Sequence, residues 1–220
     1  MKISVLDTSA IIHLSNITVG GACLLERLST FFEKTYASQV ILQELLRKVE
    51  QCPTDEMVTD AYEAFVREYK RDTIQVIEPP EACKTAIDHS EKAVVEQFMN
   101  YFKEKRLKRK LDWGEKDAAA LALHLNRSTC TPACLITGDF KATFILEHIF
   151  REQQIGLVYA TPDLLIFLYG KCFLRKEEVN SCIILLLNEV IPEYSYYKEL
   201  EEPLIHRRTQ YLDQLERILK

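Results

Sequence analysis

The sequence MKISVLDTSAIIHL, residues 1–14, combines a strand pattern, an acidic turn and a helix pattern. Ile3–Leu6 predicts a short buried strand, and the apolar run that begins at Ala10 predicts a helix. Asp7 and two hydroxyl residues lie between them, where the strand would end. Because ligands bind at the carboxyl ends of the strands in a parallel α/β sheet, we expect Asp7 to line a functional site.

The composition is that of a folded domain. The 220 residues carry a formal net charge of −5 and are 47% hydrophobic, so a nucleic-acid partner would need local basic residues or bound cations. Seven cysteines without a CxxC pair argue against a disulfide framework and a zinc knuckle. No signal-peptide pattern is visible, and no apolar stretch approaches the roughly 20 residues of a membrane span, so we expect a cytoplasmic protein.

Strand and helix patterns alternate along the chain. Further strands are predicted at residues 35–38, 74–78, 133–137 and 157–160. This alternation predicts a three-layer α/β/α fold with a mostly parallel sheet of four to five strands. The domain should cover residues 1–170 with a helical insertion at about 52–111, and residues 171–220 should form a helical C-terminal extension. Thr161 is expected to cap the helix after the last strand.

Four carboxylates have a structural reason to meet at the carboxyl edge of this sheet. Two follow predicted strands and two lie on helices that would pack beside them: Asp7, Asp139, Glu44 and Asp117. Clustered carboxylates raise one another's pKa and normally need a cation, and oxygen ligands suit Mg²⁺ or Mn²⁺. Such an ion can activate water for attack on a phosphodiester. Each acid also has an ordinary role as a helix cap or a surface residue, and only their conjunction favours a metal site.

The segment DWGEKDAAALALHL, residues 112–125, predicts a helix that starts with a capping box between Asp112 and Glu115. Glu115 lies two residues before Asp117 and could replace or supplement it as a metal ligand. Trp113 could stack on a base, although a tryptophan at the start of a helix more often packs against the fold.

Four segments together resemble the PIN-domain family of metal-dependent ribonucleases, particularly the archaeal and bacterial branch that includes VapC-type toxins. In chain order they are LDTSAIIHL, ASQVILQELL, GEKDAAALALHL and LITGDF, and the resemblance covers roughly residues 1–165. It implies four acidic ligands: Asp7, Glu44, Asp117 and Asp139. Ser9 and Thr137 would be the hydroxyl residues that support this metal site.

By this resemblance we expect an endoribonuclease, a hydrolase that uses Mg²⁺ or Mn²⁺ and metal-activated water to cut RNA. It would act as a toxin or in RNA processing. The long span between Glu44 and Asp117 and the helical extension depart from compact toxin domains. An antitoxin or another protein partner and a homodimer stay open, and no membrane partner is expected.

The run KEKRLKRK, residues 103–110, is the densest positive charge in the chain. It is either a solvated surface segment or the element that draws the RNA backbone to an otherwise acidic protein. In the second case six side chains would contact RNA: Lys103, Lys105, Arg106, Lys108, Arg109 and Lys110.

The main alternative is a catalytically inactive PIN-like module that binds RNA or protein. In that case the acids would serve as helix caps, and Mn²⁺ would not stabilise the protein. A flap-type DNA nuclease is a weaker alternative, because such an enzyme normally needs more carboxylates and further DNA-binding elements.

Overall fold

A computed structural model describes residues 3–100 and 110–186. Within these ranges the strands are β1 (Ile3–Leu6), β2 (Thr18–Val19), β3 (Ala22–Cys23), β4 (Lys34–Ser38), β5 (Ile74–Ile77), β6 (Ala133–Thr137) and β7 (Gly156–Ala160). The helices are α1 (Thr8–Asn16), α2 (Leu24–Phe31), α3 (Gln39–Gln51), α4 (Glu56–Lys70), α5 (Glu81–Gln97), α6 (Trp113–Thr129), α7 (Phe140–Glu152), α8 (Thr161–Gly170) and α9 (Lys176–Leu185).

Five parallel strands form the central sheet in the order β5-β4-β1-β6-β7. β1 lies in the middle and is buried along its whole length, as expected for a strand that is covered on both faces. Its side chains alternate between the faces, so Leu6 packs into one hydrophobic core and Ile3 and Val5 pack into the other. The predicted parallel sheet is confirmed, with five strands.

Helices cover both faces of the sheet, which confirms the three-layer α/β/α architecture. Residues of α1, α2, α3, α4, α8 and α9 build the core on one face. Residues of α5, α6 and α7 build the core on the other face. α6 carries a run of buried alanines against the sheet, and their small side chains let the helix approach it closely.

The helices that follow the neighbouring strands β1 and β6 lie on opposite faces of the sheet. These strands are neighbours, but α1 after β1 packs into one core and α7 after β6 packs into the other. The two connections diverge at this topological switch point and leave a crevice at the carboxyl edge, where ligands bind in open α/β sheets. Asp7 and Asp139 follow these two strands, so we call this place the switch-point crevice.

Residues 18–23 form an antiparallel hairpin of β2 and β3 that the sequence patterns did not predict. Gly20 and Gly21 make its two-residue turn with φ values of +61° and +85°, a conformation that glycine adopts without strain. Two-residue strands are too short to produce an alternation signal. The Gly-Gly pair was therefore the available clue.

The strand predicted at residues 74–78 is confirmed as β5, which forms an edge of the main sheet within the stretch 52–111. One capping prediction is wrong. Thr161 is not a helix cap: Ala160 takes that position, and the Thr161 hydroxyl is buried among core groups instead. The division at residue 170 stays a prediction, although α9 packs into the same core as α1. No helix of the described ranges is long and apolar enough to cross a membrane.

Candidate functional site

Asp7 is buried where β1 passes into α1, and only 3% of the residue is exposed. Its backbone N–H donates to the Ile136 carbonyl oxygen over 3.1 Å, which fixes the main chain to β6. Its Oδ1 accepts from the Ala10 N–H over 2.6 Å, which makes Asp7 the N-cap of α1. Asp7 therefore does cap a helix, and the capping hydrogen bond fixes its carboxylate at the switch-point crevice.

Two hydroxyl groups tie Asp7 to the turn after β6. Ser9 Oγ lies 2.9 Å from Asp7 Oδ1 and 3.0 Å from Oδ2, and it accepts from the Gly138 N–H over 2.9 Å. Thr137 Oγ1 donates to Asp7 Oδ2 over 2.5 Å and accepts from the Asp139 N–H over 3.0 Å. The start of α1 and the 137–139 turn thus form one hydrogen-bonded unit.

The Asp7 carboxylate is costly to ionise in this position. Burial raises the pKa of Asp7 to about 6 from its ordinary value of 3.8, although three groups that donate hydrogen bonds to its oxygens act to lower it. The negative charge of Asp112 raises this pKa further. A cation beside the carboxylate would relieve both the desolvation and the like-charge repulsion.

Asp139 holds the same place after β6 that Asp7 holds after β1. It is half-buried, and its Oδ1 accepts from the Ala142 N–H over 3.3 Å in the first turn of α7. Its backbone N–H shares the Thr137 hydroxyl with the Asp7 carboxylate. A single side chain therefore connects the two acids across the switch-point crevice.

Glu44 reaches the crevice from α3. It is half-buried, and its Oε2 accepts from the Thr8 hydroxyl over 2.8 Å. On its other side lies Gly114 of α6, where an added Cβ atom would be 2.6 Å from Glu44 Oε2 and 3.6 Å from Asp112 Oδ1. Glu44 is therefore held between the first turns of α1 and α6, close to Asp112.

The capping box predicted at the start of α6 is confirmed. Asp112 Oδ1 accepts from the Glu115 N–H over 2.9 Å, and Glu115 Oε2 accepts from the Asp112 N–H over 2.7 Å. Glu115 is buried and its carboxylate serves the cap. Sequence reasoning gave Asp112 only this capping role, yet its charge acts on Asp7. Its position at a helix start beside strand ends was the available signal.

Asp117 lies one turn further along α6 and is also 3% exposed. Its Oδ1 is 3.5 Å from Lys84 Nζ of α5, and Glu78 lies 3.4 Å from the same ammonium group. Burial acts to lower the pKa of Lys84, but these two acids outweigh it and the net shift is upward. Asp117 Oδ2 is buried and has no hydrogen-bond partner within the described part of the chain. Sequence reasoning did not foresee Lys84, since the contact depends on how α5 packs against α6.

The predicted acids differ in their partners. Asp7, Glu44 and Asp139 are linked around the start of α1, with the charge of Asp112 acting on Asp7, and Asp117 is paired with Lys84. As the side chains stand, no three His, Cys, Asp or Glu residues of the described ranges are grouped so that they could hold a metal ion. The described residues therefore include the predicted carboxylates, but not as a preformed group of three ligands.

The turn after β6 is packed against a buried histidine. His13 Nδ1 lies 3.1 Å from Thr161 Oγ1, and burial lowers the pKa of His13 to about 4. A Cβ atom on Gly138 would overlap the His13 ring and lie 2.8 Å from Ser9 Cβ. The position after Thr137 therefore has no room for a side chain.

The basic run predicted to contact RNA lies mostly outside the described residues. Of its six cationic side chains the structure describes Lys110, which is exposed. The other five fall in the undescribed range: Lys103, Lys105, Arg106, Lys108 and Arg109. Their proposed role stays a prediction.

No protein-family model and no curated protein matches the chain. A solved structure that does match is the crystal structure of VapBC2 from Rickettsia felis bound to a DNA fragment from their promoter. The identity is 16%, the match covers 72% of this chain and 98% of that chain, and the TM-score is 0.42.

Proposed function

We propose that the chain is a metal-dependent endoribonuclease of the PIN-like type and that Asp7 is its central acid. The observation that carries the proposal is the Asp7 carboxylate. It is buried at the switch-point crevice, its pKa is raised to about 6, and the negative charge of Asp112 acts on it. Ordinary helix capping does not require a second acid such as Asp112 close to the first. A divalent cation would explain why the acids are placed together.

The donor atoms fit Mg²⁺ or Mn²⁺. The candidate ligands supply only oxygen atoms, which these ions prefer, and Asp117 Oδ2 is a buried oxygen without a hydrogen-bond partner in the described ranges. Asp7, Glu44 and Asp139 would hold the ion, with Asp117 as the fourth acid and Glu115 kept in its cap. When bound, the ion would supply an activated water for attack on the scissile phosphate.

A preformed cage of three carboxylates is not required for such an ion. Mg²⁺ usually keeps several waters and is held by one or two carboxylates together with substrate phosphates. The ungrouped acids of this chain are compatible with that mode of binding. We therefore expect weak binding of the ion to the protein alone and tighter binding when RNA is present.

The residues around Asp7 would act by fixing its carboxylate. Ser9 and Thr137 donate hydrogen bonds to its oxygens. Thr8, which follows Asp7 in the chain, donates a hydrogen bond to Glu44. Because these donors are rigidly placed by α1 and β6, the carboxylates would need little reorganisation when an ion and a phosphate arrive. A toxin role with an antitoxin partner, a role in RNA processing and a homodimer stay predictions.

A non-catalytic binding module is the second candidate, and two observations favour it. Asp7 and Asp112 both cap helices, and the described acids are not grouped as a metal site. In such a module the same crevice would bind RNA or protein without cutting it.

Cleavage of a single-stranded RNA in Mn²⁺ distinguishes the two candidates. Wild type should cut the RNA, chelation by EDTA should stop it, and Asp7→Asn and Asp139→Asn should each lower the rate by at least about 100-fold. Asp60→Asn is the matched control, because Asp60 is an exposed acid on α4. Equal cleavage by wild type and Asp7→Asn, or no cleavage by a folded wild-type protein in Mn²⁺ or Mg²⁺, would contradict the nuclease proposal.

A further inference from the structure

Trp113 is the most exposed of the large hydrophobic residues that the structure describes. It is 70% exposed, and it is the single tryptophan of the chain. A large aromatic ring left in water forgoes the burial that usually stabilises it. The packing role that a tryptophan at a helix start most often has does not apply here.

The position of Trp113 relates it to the switch-point crevice. It is the first residue of α6, directly after Asp112, whose charge acts on Asp7. The next residue, Gly114, lies against Glu44. Trp113 therefore lies between a residue whose charge acts on Asp7 and a residue that lies against Glu44.

This segment is held firmly on both sides of Trp113. The Asp112–Glu115 capping box closes the first turn of α6. Glu91 of α5 is buried, accepts from the Leu111 N–H over 2.5 Å and pairs with Lys116 over 2.6 Å. A ring on a fixed backbone can bind a flat partner without first ordering a loop, which lowers the entropic cost of binding.

The surroundings of the ring favour a nucleobase over a protein. Within three residues of Trp113 the other apolar side chain, Leu111, is buried, so no exposed apolar neighbour in sequence extends the ring. A protein interface would call for a contiguous apolar patch, whereas one exposed ring offers a single flat face that suits stacking on one base. Every base has a flat face, so such stacking tolerates any sequence but requires an unpaired nucleotide.

We propose that Trp113 stacks on an unpaired base of the RNA, beside the phosphodiester bond that is cut. This inference rests on the proposed function and deepens it, since it assigns a base-binding residue next to the candidate site. Trp113 acts in binding and positioning and takes no part in the chemical step.

The single tryptophan makes the contact directly measurable. The probe is a single-stranded RNA with 2′-O-methyl groups, which resists cleavage, in the presence of Mg²⁺. Its binding should quench the fluorescence of Trp113. Trp113→Ala should weaken binding of the same RNA by about 5- to 150-fold, the usual range for the loss of one base–aromatic stack. Circular dichroism would check that the variant is folded, and alanine is a good helix former at this exposed position.

Two controls make the result specific. Tyr69→Ala removes another exposed aromatic ring, on α4, and should leave RNA binding unchanged. A series of oligonucleotides with one abasic position moved along the strand should contain a position that weakens binding to wild type but not to Trp113→Ala. That difference between the two proteins is the signature of a stack, which a merely structural role for Trp113 would not produce.

The outcomes separate this inference from the proposed function. If Trp113→Ala binds RNA like wild type while Mn²⁺-dependent cleavage persists, stacking is wrong and the nuclease stands. If Trp113 is quenched and the abasic series shows the stack, but RNA is never cut, stacking stands and the chain is a binding module. A change in oligomeric state on Trp113→Ala without a change in RNA affinity would overturn the inference in favour of a contact between copies of the chain.

Discussion

The Thr137 hydroxyl donates a hydrogen bond to Asp7 Oδ2 over 2.5 Å and joins residues that are 130 positions apart in the chain. The same oxygen accepts from the backbone of Asp139. This threonine therefore connects the two acids that follow neighbouring strands, and its removal should affect both.

Thr137→Val should destabilise the fold by about 1–3 kcal/mol, because it removes one of the three donors to the buried Asp7 carboxylate and the hydroxyl oxygen that accepts from the Asp139 N–H. RNA cleavage should fall as well. Thr137→Ser restores the hydroxyl and should recover most of both losses. Urea unfolding and cleavage rates measure the two effects. A valine variant that matches wild type in both would show that this hydroxyl does not organise the crevice.

Asp7→Asn should stabilise the metal-free protein above pH 6. The pKa of Asp7 is about 6 in the folded state and ordinarily 3.8, so the folded state binds more protons between these values and stability falls as pH rises through them. Above pH 6 Asp7 is ionised in the folded state, and its buried charge lowers the free energy of unfolding by on the order of 2–3 kcal/mol. Because asparagine carries no charge, the free energy of unfolding of Asp7→Asn should exceed that of wild type by a large amount at pH 7.5 and by a small amount near pH 4. Urea unfolding across this range measures it, and an advantage that does not change with pH would contradict the assignment.

His13 should make the free energy of unfolding depend on pH in the opposite direction to Asp7. The pKa of His13 is lowered to about 4 from 6.5, so the unfolded chain takes up a proton between these values that the folded protein does not. Stability should therefore fall as pH drops from 6.5 towards 4. His13→Gln should flatten the dependence of the free energy of unfolding on pH between 6.5 and 4. An unaltered slope in His13→Gln would show that another group is responsible.

Gly114→Ala and Gly138→Ala should separate function from stability. The Cβ atom at position 114 meets Glu44 Oε2, the mobile end of a side chain, so the fold should keep its stability within about 1 kcal/mol while Glu44 moves and cleavage falls. The Cβ atom at position 138 meets the buried His13 ring and should cost about 1–3 kcal/mol. Unfolding curves and cleavage rates together test the pair. If both substitutions lowered stability and cleavage by equal amounts, the different roles assigned to Gly114 and Gly138 would be wrong.

Much of the fold could be predicted from local patterns. The bounds of β6 agree with the strand predicted at residues 133–137, because a continuous apolar run is a strong signal. The hairpin at residues 18–23 was missed because its strands are only two residues long. Thr161 was misassigned as a cap because its actual neighbour, His13, is 148 residues away.

The candidate site was predictable only in part for the same reason. Placing Asp7 and Asp139 at strand ends needs only the local pattern of strand and helix. The Thr8 contact that holds Glu44, the Lys84 contact that occupies Asp117 and the charge of Asp112 beside Asp7 all depend on how helices pack. Neither spacing nor composition determines those distances.

The proposed function requires Asp7 to hold a divalent cation together with RNA. Mn²⁺ binding measured by electron paramagnetic resonance, with and without a cleavage-resistant 2′-O-methyl single-stranded RNA, tests it most directly. We predict weak binding to the protein alone and at least about 10-fold tighter binding with RNA, both lost in Asp7→Asn and kept in Asp60→Asn. Mn²⁺ binding that is absent in wild type, or that is the same in Asp7→Asn, would contradict the account.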